Sequence, residues 1–210
     1  MKRVLVILVV LIIVAAAYYF FFPRSGKKHP KGPEPVPLAV SKHSPAFNQS
    51  VQSILDAYYN VSEALVNWDV PAVDKHTNEL NTALDNFKVE ELKVDTVIYQ
   101  SALDPLATAK ATVTTMLGQP SIDQKRVSFN TLSDYLRLLF IVVKYDANKL
   151  YWQECPMAFG EDQAGYWLSK TDAVRNPYLG TKHPEYKAGM LECGGPKDTI
   201  NFMVPDTTGR

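Results

Sequence analysis

The chain has 210 residues, 46% of them hydrophobic and 21% charged, enough for one ordinary domain with a buried core. Lys plus Arg and Asp plus Glu balance at 22 each, which argues against nucleic acid as a partner, because phosphate recognition needs a basic surplus or patch. Two cysteines, Cys155 and Cys193, allow one disulfide at most and exclude a cysteine-stapled scaffold.

Lys2 and Arg3 precede an unbroken apolar run from Val4 to Phe22. At about 1.5 Å per residue the run spans roughly 28 Å, close to the hydrocarbon thickness of a bilayer. It reads as one transmembrane helix anchoring the chain over residues 1–23, with Tyr18 to Phe22 as interfacial aromatics. Ala15-Ala16-Ala17 offers the small residues a signal peptidase needs, so cleavage and secretion is the alternative. Either way the domain is exported. Arg24, Lys27, Lys28 and Lys31 outnumber the basic residues before the run and pull toward a cytoplasmic domain. The family resemblance described below decides for an inner-membrane anchor with the domain in the periplasm.

Residues 24–45 form a linker, with Pro30, Pro33, Pro35 and Pro37 among Gly, Lys and Ser, a composition that favours extended backbone. Its histidines, His29 and His43, read as solvated. A helical domain over residues 46–148 follows. Ser44-Pro45 is a cap with proline in the first turn, and Phe47, Val51, Ile54, Leu55, Tyr58, Leu65 and Val66 recur at helical spacing. Asp69 and Pro71 open a second helix with Val73, Leu80, Leu84 and Phe87 as its stripe. A third stretch, from about Val94 to Leu117, should kink or split at Asp104-Pro105. Ser121-Ile122-Asp123-Gln124 is a capping box opening what should be the longest helix, with Val127, Leu132, Leu136, Leu139, Phe140 and Val143 facing inward. Short connections make this an up-and-down four-helix bundle, a mainly α fold.

Beyond Asp146 the texture changes. Residues 149–210 read as a strand-and-loop region packed on the bundle, rich in Tyr, Trp, Gly and Pro, with a short strand at Ile200 to Val204. Both cysteines lie here, each near a methionine, in Cys155-Pro156-Met157 and Met190-Leu191-Glu192-Cys193. Thiolate and thioether sulfurs are soft donors that select Cu(I). Cys155 and Met157 would share one face of an extended strand. One helical turn would bring Met190 and Cys193 to a common side, and Tyr151, Trp152, Tyr166 and Trp167 could wall the site from water. The competing readings are a plain disulfide with Met157 and Met190 filling the core, or two unpaired buried thiols. His183 reads as a loop residue, and His76 with Glu79 one turn on as a surface contact.

Catalytic templates are missing. The sequence contains no P-loop, no G-x-G-x-x-G, no G-x-S-x-G elbow and no zinc-helix His pair. A Cys155 nucleophile would want a histidine base, and only His183 sits in the same region. The chain reads as a non-enzyme.

Cys155-Pro156-Met157-Ala158, Tyr166-Trp167-Leu168-Ser169, Asn176-Pro177-Tyr178-Leu179-Gly180 and Met190-Leu191-Glu192-Cys193-Gly194 resemble a bacterial exported domain family of unassigned function, with Phe129-Asn130-Thr131-Leu132-Ser133 similar to its F-x-x-L-S helix. The family carries a C-P-M-A … W-L-S … N-P-Y-x-G … M-L-x-C-G signature, alone or fused to periplasmic adaptors of copper/silver efflux pumps. The resemblance implies a Cu(I) module, with Ag(I) as a second cargo. Its ligands would be Cys155, Met157, Met190 and Cys193, and an efflux adaptor or other periplasmic protein would be its partner. The segment Thr181 to Gly189 departs from the family pattern as an insertion and brings in His183 as a possible extra ligand.

Overall fold

The computed structural model describes Tyr18 and residues 41–203. Apart from Tyr18, the expected anchor lies outside these residues, as do the linker up to residue 40, His29 and the tail from Val204. Among the described residues no helix is long and apolar enough to cross a membrane.

Four α-helices lead. α1 spans Pro45–Val66, with Ser44 accepting from the Phe47 N–H and proline in the first turn. α2 spans Val70–Asp85 behind the Asp69 cap on Ala72. A 3-10 turn, Val89–Val94, leads into α3, Thr96–Gly118, where Asp95 accepts from the N–H groups of Val97 and Ile98. α4 spans Ile122–Val142. Ser121 Oγ accepts from the Gln124 N–H at 3.2 Å and meets the Gln124 side chain at 3.1 Å. Each helix packs on the next. Tyr58 closes the set, stacking on Phe129 of α4 at 4.9 Å.

Three details of the helices differ from the sequence reading. α3 runs unbroken through Pro105, whose ring is buried, instead of splitting there. The carbonyl that loses its partner belongs to Ser101, which is exposed, so water can satisfy it. With 23 residues α3 is longer than α4 with 21. Val127 faces solvent at 55% exposure, although the other expected inward positions of α4 are buried.

The chain then forms an antiparallel sheet of three strands, ordered β2-β1-β3. β1 is Leu150–Cys155, β2 Gly165–Ser169 and β3 Gly195–Ile200. The last strand therefore ends where the expected one, Ile200 to Val204, was to begin. β2 lies at one edge, and helix side chains cover its outward N–H groups. Asn130 Oδ1 accepts from Tyr166 N at 2.7 Å, and Tyr58 Oη accepts from Leu168 N at 3.0 Å. Such capping protects an edge that would otherwise invite further strands. At the other end of the bundle, Ser41 Oγ and the Lys42 N–H donate to Asp146 at 2.5 and 2.7 Å. His43 stacks on Phe47 at 4.4 Å, so it is held against the domain and is not a solvated linker residue.

Candidate functional site

β1 places Cys155 at the end of the central strand, fully buried, and the turn before β3 places Cys193 beside it. The two form a disulfide with a Cα–Cα distance of 5.6 Å across 38 residues of sequence. Gly194 makes the approach possible. Its φ is +112°, and any Cβ there would collide with the Glu154 carbonyl.

Asn176 locks the two loops together. It is 0% exposed, and its Nδ2 donates to the Cys193 carbonyl at 3.1 Å. Its Oδ1 accepts from the N–H groups of Tyr178 and Leu179 at 2.8 and 3.1 Å, and its own N–H donates to the Leu191 carbonyl at 2.9 Å. One buried amide thus shapes the Asn-Pro-Tyr-Leu-Gly turn and seats the cysteine loop on it. Tyr178 continues the network, its hydroxyl bonding the Tyr166 carbonyl and Asn130 Oδ1. Sequence reasoning singled out these motifs without assigning Asn176 and Asn130 their roles, because Cys193 lies 17 residues from Asn176 and Tyr166 lies 36 from Asn130, and bonds at that range leave no local pattern.

A second hub fastens this region to the C-terminal end of α1, whose last carbonyls lack helical partners. Thr181 N–H donates to Val66 O at 2.8 Å, and Arg126 donates to Leu65 O and Pro177 O at 3.2 and 3.1 Å. Its guanidinium lies 3.8 Å from the Trp68 ring centroid. Burial pulls the Arg126 pKa down to about 10, with Asp123 opposing, so the group stays charged at neutral pH.

The four expected sulfur ligands are only partly gathered. Cys155 and Cys193 meet. Met157 does not share a strand face with Cys155, because β1 ends at Cys155 and Met157 falls in the following turn. There it lines a cleft of about 750 Å³ with Arg126, Phe159, Leu179 and His183. Met190 is not among the walls of that cleft. It sits in a tight turn closed by Cys193 N–H to Met190 O at 3.0 Å, where a helical turn was expected.

The aromatic wall divides by strand alternation, with Tyr151 and Trp167 on the Cys155 face and Trp152 and Tyr166 on the other. Trp152 and Tyr166 stack at 5.5 Å, with Arg137 over one ring and Lys197 over the other. His183 is half-buried, stacked on Tyr186 at 4.8 Å. Its Nδ1 accepts from the N–H groups of Glu185 and Tyr186, which puts the proton of the neutral ring on Nε2 and disfavours a metal bond there. His76 makes the expected surface contact, Nδ1 to Glu79 at 2.7 Å. Among the described residues no three His, Cys, Asp or Glu side chains cluster as metal ligands would.

No curated protein and no solved structure matches this chain. Residues 54–145, from within α1 to just past α4, match a family described as "Protein of unknown function (DUF3347)". The match ends before β1, so Cys155, Met157, Met190 and Cys193 all lie beyond it. The helical part of the chain is thus similar to a domain whose function is unassigned.

Proposed function

We propose that this is a membrane-anchored, non-catalytic domain of the periplasm that captures Cu(I) or Ag(I) through Cys155 and Cys193 in their dithiol state. The observation that carries the reading is the convergence of these residues, 5.6 Å apart at Cα though 38 residues apart in sequence. Two thiolates so placed can grip one soft ion between them. Cys155 is sealed in the core and serves as the fixed ligand. Cys193, half-buried in its turn, is the one open to ligand exchange with a copper/silver efflux adaptor or another periplasmic partner. Met157 and Met190, two residues after Cys155 and three before Cys193, are the thioether candidates. The disulfide is the closed form of this site. A thiol reductant opens it by supplying two electrons and two protons while being oxidised to its own disulfide, and the metal then displaces the two thiol protons. The four motifs that resemble exported domains linked to copper/silver efflux support the same assignment.

The test is anaerobic titration of the reduced full chain with Cu(I) against a competing chelator. Competition that is lost in Cys155→Ser and in Cys193→Ser supports the reading, and undiminished binding in both variants refutes it. A second reading, a protein-interaction domain with a permanent disulfide staple, is favoured by the complete burial of Cys155. Alkylation and mass measurement on freshly isolated protein separates the two. Free thiols or bound metal favour metal capture, and a stoichiometric disulfide that resists reductant favours the staple.

A further inference from the structure

The cleft beside Met157 has chemistry the cysteine pair does not use. Its floor is apolar, formed by Met157, Phe159 and Leu179. Its rim carries four carboxylates on three separate elements: Asp123 on α4, Glu161 and Asp162 in the turn after β1, and Glu185 in the loop before Met190. Among the described residues Glu161, Asp162 and Glu185 join no ion pair.

The cation at the site is already committed. Arg126 is 3% exposed and spends its guanidinium on two main-chain carbonyls and the Trp68 ring, with only a 3.4 Å reach to Asp123. The rim therefore presents a surplus of negative charge over an apolar bed. Val127 and Phe159 also line a second hollow of about 540 Å³ with Asn130, Thr131 and Gln163. This gives the groove a length that a compact cation would not fill. Val127 itself is 55% exposed on a helix whose other expected core positions are buried. Val127 thus offers an exposed apolar contact where the two hollows meet.

We infer that this groove docks an extended peptide segment of a partner protein in which Lys or Arg alternates with apolar side chains. In an extended segment successive side chains point to opposite sides. The apolar set lies on Val127, Met157, Phe159 and Leu179, and the cationic set, starting from the outer face, bends its long Lys or Arg stems back to the rim carboxylates. Charge complementarity selects the partner and hastens encounter, while the apolar floor supplies the residence time. Neither cysteine lines the groove, so it is open to a peptide in the oxidised protein.

The experiment is fluorescence anisotropy of a labelled, alternating Lys-Leu peptide with the full oxidised chain in neutral detergent. Saturable binding that weakens as salt rises is expected. Glu161→Gln/Asp162→Asn should weaken it roughly 5-fold, the sum of two exposed charge pairs, in a protein with unchanged circular dichroism. Val127→Ser should weaken it through the floor, and Glu90→Gln, far from the cleft, should not. Equal binding of a Glu-Leu peptide, or unchanged affinity in both groove variants, overturns the proposal. So does equally tight binding of lysine amide, which would make the cleft a small-cation site.

Discussion

The Tyr58 hydroxyl ties the outer edge of β2 to α4 through two buried hydrogen bonds. Leu168 N–H donates to Tyr58 Oη at 3.0 Å, Tyr58 donates to Ser133 Oγ at 2.6 Å, and Ser133 donates to the Phe129 carbonyl at 2.7 Å. This relay crosses from the β2 edge through α1 to α4, and Tyr58 and Ser133 are both 0% exposed. Burial raises the Tyr58 pKa well above the usual phenol range, so the hydroxyl keeps its proton to donate. Tyr58→Phe removes one oxygen and little volume, leaving the Leu168 N–H buried without an acceptor. An orphaned buried donor costs about 1–3 kcal/mol, so the expected loss is about 2 kcal/mol. For a domain of this size that lowers Tm by roughly 4–8 °C. Ser133→Ala should cost about 1 kcal/mol, because the Phe129 carbonyl keeps its helical partner. The double variant should cost little more than Tyr58→Phe alone, because the same N–H is orphaned in both. Urea unfolding followed at 222 nm gives these values, and amide exchange at Leu168 should accelerate in Tyr58→Phe. A Tyr58→Phe protein within about 0.5 kcal/mol of the parent, or a double variant that costs the full sum, would refute the relay.

Two further outcomes follow from local geometry. Gly180 has φ +59°, and a Cβ there would lie 2.9 Å from Trp68 Nε1 and against the Val66 carbonyl. Gly180→Ala should therefore cost about 2 kcal/mol or more in urea unfolding and shift tryptophan fluorescence as the loop lifts from α1. Asp134 is pushed above its ordinary 3.8 by burial, only partly offset by Arg137, so its folded pKa exceeds its unfolded one. The folded state then holds the proton more tightly, so the penalty for ionising the carboxylate sets in as the pH rises past 3.8 and is complete above the raised value. Asp134→Asn should raise stability at pH 7 by a few tenths of a kcal/mol, given the exposure of the site. That gain should vanish below pH 3.8. Paired melts at both pH values check the sign, and a destabilised variant at pH 7 would contradict it.

The helices were legible because their signals are local. Ser44, Asp69 and Ser121 cap the helices they precede, and stripes such as Val51, Ile54, Leu55 and Tyr58 repeat at the period that buries one face. Pro105 and Val127 depart from that local logic because their outcomes depend on what lies outside the helix, water at an exposed carbonyl in one case and an open groove in the other. The candidate site was half legible. Its cysteines and motifs stood out in the chain, but their meeting depends on Asn176 bonding to Cys193 and on Gly194 passing close to Glu154. The acidic rim was invisible, since Asp123, Glu161, Asp162 and Glu185 come from three elements that only the packing of loop on helix brings together. Capping and periodicity act over a few residues and can be read along the chain. The convergence of distant loops is set by long-range burial and hydrogen bonding, and only the tertiary structure decides it.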